Sequence, residues 1–64
     1  MTKPQFSNIC VGTQVYNVTT HIHYRVRERI MRTLVLERIS PVASAPLVEI
    51  AKLSQCGDWD IVRP

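Results

Sequence analysis

His21, His23, Arg25 and Arg27 fall at every second position of the chain. On an extended strand, residues i and i+2 share a face, so the spacing predicts four cationic or ring-bearing side chains on one surface. Imidazole and guanidinium on one face are suited to phosphate, carboxylate and base edges. The intervening residues Ile22, Tyr24 and Val26 are β-branched or aromatic, as the buried face of such a strand requires. The same alternation reaches back to Tyr16, Val18 and Thr20 against Asn17 and Thr19. Twelve residues make a long strand, so a bend or a turn near Asn17 is expected.

Charge sharpens the picture. The 64-residue chain holds 8 Lys and Arg against 5 Asp and Glu, for a net charge of +3. Arg25, Arg27, Arg29, Arg32 and Arg38 lie in one stretch that holds only Glu28 and Glu37, while the remaining charges cancel. The excess is therefore local, and it is all arginine. It predicts an anionic partner, with His21, His23, Arg25 and Arg27 facing it and Arg29 and Arg32 reaching phosphates.

The elements that would carry these residues read as follows. Residues 1–8 are a polar N-terminal arm. Ile9, Cys10 and Val11 precede Gly12-Thr13, a pair suited to a hairpin turn, so residues 9–26 are expected to form a β ribbon. Glu28 breaks the alternation. The run from Arg27 to Ile39 is rich in helix formers, and Ile30, Met31, Leu34 and Val35 fit an apolar stripe, which predicts a helix over residues 27–39. Residues 40–46 hold Pro41 and Pro46 and read as a connector. A second helix is expected over residues 46–57, with Ser44 as its N-cap, Pro46 in its first turn and Gly57 after its end. Residues 58–64 form a tail whose Trp59 is expected to cover a small core or to anchor an interface. The expected fold class is α+β: a short antiparallel ribbon followed by two helices, in a single small domain.

The order strand, helix, helix resembles the layout of the ribbon–helix–helix repressors, which pair two strands across a dimer. That resemblance implies a ribbon seated in the DNA major groove. In those repressors the strand lies near the N-terminus and the connection between the helices is short. Here a long segment precedes the strand and the connector is proline-rich. Ile50, Ala51, Cys56 and Ile61 also resemble the apolar positions of a helix-turn-helix, although Gly57 comes late for its turn.

Other chemistries lack their residues. The serines have no nucleophile setting, the two glycines build no phosphate loop, and Cys10 and Cys56 form no CxxC pair, so no catalytic residue is expected. His21 and His23 lack a third ligand at a diagnostic spacing, so neither a metal nor another cofactor is expected. No apolar segment is long enough to span a membrane, and no signal segment follows Met1. A cytoplasmic location is expected, where two reduced thiols are the default and a Cys10–Cys56 bridge, closing a long loop, is the alternative; the Asn17-Val18-Thr19 sequon is then incidental. A chain this short has a small core, and a ribbon has an open edge, so a homodimer or an obligate complex is expected. Two readings result. One is a small basic DNA-binding regulator. The other is a protein-directed inhibitor or modulator, of the kind mobile elements encode, that binds a larger host complex.

Overall fold

A computed structural model describes residues 1–40 and 46–63. Thr2 opens the chain's helix. Its hydroxyl accepts from the Gln5 amide at 3.3 Å while the Gln5 side chain accepts from the Thr2 amide at 2.8 Å. This reciprocal cap, with Pro4 in the first turn, starts the short helix α1 (Lys3–Ser7). The rest is one antiparallel sheet: β1 (Gln14–Asn17), β2 (His23–Ile30), β3 (Thr33–Arg38), β4 (Val48–Lys52) and β5 (Trp59–Ile61), in the order β4-β3-β2-β1-β5. A kinked 3-10 segment (Leu53–Asp58) carries the chain from β4 back across the sheet, so that β5 pairs with β1.

This corrects the expected ribbon followed by two helices. The stretch expected as the first helix is instead the end of β2, a tight turn at Met31-Arg32, and β3. The stretch expected as the second helix is β4 and the 3-10 segment. With no pair of α-helices among the described residues, the layout shared with ribbon–helix–helix repressors disappears, and so does the helix-turn-helix pattern. The N-terminal arm, residues 1–8, holds α1, and Ile9-Cys10-Val11 is not a strand. Pro41 and Ser44 of the expected connector lie outside the described residues.

The physical cause is visible at Glu28. β2 and β3 stay in register from Tyr24↔Arg38 to Val26↔Leu36, then shift by one residue, resuming at Glu28↔Val35. Arg27 is the extra residue of a β-bulge. The break in alternation at Glu28 is therefore a bulge within a strand, not a helix start. Beyond it Leu34 and Leu36 are buried at period two, while Ile30 and Met31, half of the supposed helical stripe, are exposed. Cross-strand pairing overrides the helix propensity of this segment, because β3 satisfies its backbone on both sides.

The long alternation of residues 16–27 splits where a turn was expected. Asn17 Oδ1 accepts from the amides of Thr19 and Thr20 at 2.9 and 3.1 Å, and the His21 amide donates to the Asn17 carbonyl at 2.8 Å. This Asx-type turn leaves His21 at φ 60. After it Tyr24 and Val26 are buried while Arg25 and Arg27 are exposed, matching the sequence pattern; before it the faces invert, so Val15 is buried and Tyr16 lies outside. Gly12 is at φ 95, a conformation that favours glycine, and its amide donates to the Val26 carbonyl at 2.8 Å.

One face of the sheet is sealed. Phe6 and Ile9 from the N-terminal segment meet Val15, Tyr24, Val26, Leu34, Leu36, Ala51 and Trp59 in a single core. Trp59 is thus a core residue, packed edge-on against Tyr24 with ring centroids 5.4 Å apart. Arg29 lies on this covered face, because the bulge turns it, rather than Glu28, inward. Its guanidinium donates to the carbonyls of Phe6 and Ile9 at 3.0 and 2.9 Å. The Met1 ammonium donates to the Cys56 carbonyl at 3.0 Å and to the Trp59 carbonyl, closing the lid from the other side.

This packing can be tested at two side chains. Replacing Arg29 by Met keeps the stem but removes both charge-assisted bonds, and should cost about 1.5–3 kcal/mol in urea unfolding. The second test concerns alkali. The Tyr24 hydroxyl is held above its ordinary value near 10.0, first by burial and then by the Glu49 carboxylate, with Arg38 pulling the other way. The folded state therefore keeps this proton more tightly than the unfolded state. The associated stability is intact below a pH of about 10 and is lost as pH rises through the folded value. Unfolding curves taken between about pH 9 and pH 11 should show a smaller loss for Tyr24→Phe than for the parent.

Candidate functional site

The uncovered face of the sheet carries rows of opposed side chains. Tyr16 is the Cα partner of His23 on one side and of Asp60 on the other. Gln14, Arg25, Glu37 and Val48 form the next row across four strands. Beyond the bulge, Glu28, Val35 and Ile50 form a third, and Ile30, Thr33 and Lys52 a fourth.

The first row holds a three-ring array. The Tyr16 ring stacks on His21 at 6.3 Å between centroids with planes 10° apart, and on His23 at 5.7 Å and 28°. The local cause is the turn built on Asn17, which folds His21 back toward the strand it has just left. The Tyr16 hydroxyl lies 3.5 Å from Asp60 Oδ2, at the long end of hydrogen-bond distance. His21 is exposed and Tyr16 and His23 are half-buried, so ring surface remains open to solvent. Flat, open π-surface is the ordinary means of holding a planar heterocycle such as a nucleobase.

The expected site residues do not form one patch. His23 and Arg25 share the open face, with His21 beside them at the turn. Arg25 pairs with Glu37 at 3.5 Å, each side chain about half exposed at 50% and 46%. Arg27 projects from the bulge, exposed and in no ion pair among the described residues. Arg29, expected on phosphates, is turned to the opposite face and holds the lid. Arg32 occupies the β2–β3 turn, at the far end of β2 from the rings; eight residues at a strand's rise place them roughly 25 Å apart. There it lines a cleft of about 360 Å³ together with Lys3, Thr33, Lys52, Leu53 and Ser54. Trp59, expected at an interface or over the core, is 5% exposed.

Sequence reasoning missed three contributors. The alternation, extended through the turn, puts Tyr16 on the inner face, whereas the turn puts it on the open one. Lys3 and Lys52 are isolated in sequence and carry no local signal; only the topology brings them to Arg32. A capping pattern, Thr2 through Gln5 with Pro4, was present and could have placed α1 and hence Lys3.

Among the described residues no group of three His, Cys, Asp or Glu is arranged to hold a metal. Cys10 and Cys56 are unbridged. Among the described residues no helix is long and apolar enough to cross a membrane. Compared with known protein families, curated proteins and solved structures, the chain has no match in any of the three.

The different fates of the arginines give a stability prediction. The Arg25–Glu37 pair is half exposed and Arg27 is unpaired among the described residues, so replacing Arg25 and Arg27 together by Ala should change unfolding free energy by less than about 1 kcal/mol. A loss as large as that expected for Arg29→Met would mean that these arginines also support the fold.

Proposed function

We propose that this protein is a small nucleic-acid-binding module, regulatory in role, that engages single-stranded DNA on the open face of its sheet. The observation that carries the reading is the Tyr16 ring array beside Arg25 and Arg27. His21, Tyr16 and His23 would stack unpaired bases, and Arg25 and Arg27 would contact the phosphates that flank them. Stacking tolerates every base, so the expected preference is for structure over sequence.

The structure alters the expected mode of contact. β2 is bonded to β1 on one side and β3 on the other, so it is not a two-stranded ribbon able to enter a major groove. A broad sheet face with open rings suits bases that have already left a duplex.

A second reading is favoured by a separate observation. The Arg38 amide donates to the Leu47 carbonyl and the Leu53 amide to the Arg32 carbonyl, each at 2.9 Å. By strand alternation, the N–H and C=O groups of Val48 and Ile50 point away from β3 at an edge of the sheet. These two residues are 44% and 46% exposed. Such an edge can add a strand from a larger protein complex, which supports the protein-directed modulator. An obligate complex or a homodimer would arise through this edge.

Salt separates the two readings. Fluorescence anisotropy with a labelled oligothymidylate should give an affinity that falls steeply with salt, and an edge-pairing interface should not. Tyr16→Ala should weaken oligothymidylate binding by roughly 5-fold or more, as the loss of one stacking partner implies. The Arg25→Ala, Arg27→Ala double variant should flatten the slope of log affinity against log salt by up to about 1.4, near 0.7 for each phosphate that is no longer neutralised. Unchanged binding in both variants would remove the open face as the interface and leave the β4 edge as the better candidate.

A further inference from the structure

The cleft at the far end of β2 from the rings is lined by three cations and no acid. Lys3 comes from α1, Arg32 from the β2–β3 turn and Lys52 from the last position of β4; Thr33 and Ser54 add hydroxyl groups, and Leu53 completes the wall. It is an open cleft of about 360 Å³. Among the described residues none of the three cations takes part in an ion pair. Each is held in position by its backbone. Thr33 and Lys52 are Cα partners, the Leu53 amide donates to the Arg32 carbonyl at 2.9 Å, and α1 is pinned by the buried Phe6 and by Arg29. The three elements are remote in sequence, so the concentration of charge is a product of the fold.

Like charges gathered around a concavity repel one another, and an anion placed between them relieves that repulsion. The charge count selects among anions. A diester of a nucleic-acid backbone carries a single negative charge, whereas a terminal di- or triphosphate carries several and offers many acceptor oxygens. A guanidinium fork and two ammonium groups match the second, with Thr33 and Ser54 as further donors.

We propose that this cleft is a binding site for a terminal oligophosphate group, with Arg32 and Lys52 as its main contacts and Lys3 closing it. Two sources offer such a group, a free nucleoside polyphosphate and the phosphorylated 5′ end of a strand. The inference does not depend on the ring array, and it can fail or succeed independently.

The test uses the full chain, isotope-labelled, titrated with sodium tripolyphosphate and followed by amide NMR, with sodium sulfate at matched ionic strength as the control. Saturable shifts are expected at Lys3, Arg32, Thr33, Lys52, Leu53 and Ser54, well beyond those produced by sulfate. Arg32→Gln and Lys52→Gln should each weaken binding by 5-fold or more, and the pair together should abolish saturation, while the dispersion of the spectrum shows that both remain folded. Tyr16→Ala should leave tripolyphosphate binding unchanged, which separates this site from the open face. An oligothymidylate with a 5′-triphosphate is then compared with one ending in a 5′-hydroxyl. A preference that vanishes in the double variant assigns the source to a strand end, and equal affinities with tripolyphosphate binding intact assign it to a free nucleotide. Shifts no larger than with sulfate, shifts centred away from the cleft, or full binding by the double variant would overturn the proposal.

Discussion

The Arg29 guanidinium donates to the carbonyls of Phe6 and Ile9, and through them it ties the N-terminal segment to the centre of the sheet. Much follows from that tie. One face of the five-stranded sheet is covered by two residues of that segment, Phe6 and Ile9, and by the 3-10 segment, with Trp59 of β5 in the core beneath them. Phe6 is fully buried, so its loss from the core would expose the sheet residues beneath it. The two carbonyls that Arg29 satisfies lie at and just beyond the end of a five-residue helix, too short to be stable alone. A charge committed to this lid is a charge withdrawn from any ligand. It also fixes the position of α1, and with it Lys3, at the mouth of the cleft.

The asymmetry between the faces explains where binding chemistry can reside. Side chains on the covered face are committed to packing, and the open face is left to polar rows, the ring array and the exposed apolar residues near β4. Those apolar residues are interrupted by Glu28, Glu37 and Lys52, which keep the face from becoming a continuous hydrophobic surface. The rings, by contrast, are clustered by a specific device, the Asn17 turn. A cluster with a dedicated local support is better evidence of use than scattered exposure.

Part of this was legible in the sequence because it is local. The alternation from Ile22 to Arg27 predicts which side chains of β2 are inside, and the excessive length of the pattern predicts a turn near Asn17. What failed was any inference that depended on a partner strand. Leu34 and Leu36 have period two, but they sit among helix formers, and only the pairing of β3 with both β2 and β4 decides in favour of a strand. The bulge at Arg27 imitates the end of a strand, because inserting one residue inverts the faces beyond it. In β4 the small Ala51 is the buried residue and the larger Ile50 is outside, which inverts what size alone suggests. The site suffered in the same way. A run of five arginines reads as one basic patch, yet the fold sends Arg25 to Glu37, Arg29 to the lid and Arg32 to the opposite end of β2.

That dispersal gives the two ends of β2 different surfaces. If the whole positive charge lay in one patch, electrostatics alone would hold a ligand there without fixing its direction. Here the exposed cations are staged along β2. Arg25, paired with Glu37, lies beside the rings, Arg27 at the bulge, and Arg32 with Lys3 and Lys52 at the far end, while Glu28 lies between on the open face. The two ends of β2 are therefore distinct in chemistry, π-surface at one and concentrated positive charge at the other. If both sites serve one strand, it would lie along β2 in one polarity, with planar bases at the Asn17 turn and its phosphorylated end at the β2–β3 turn. The bulge sets that arrangement, since without the extra residue Arg29 would face outward and Glu28 inward, and both the lid and the spacing of exposed cations would be lost.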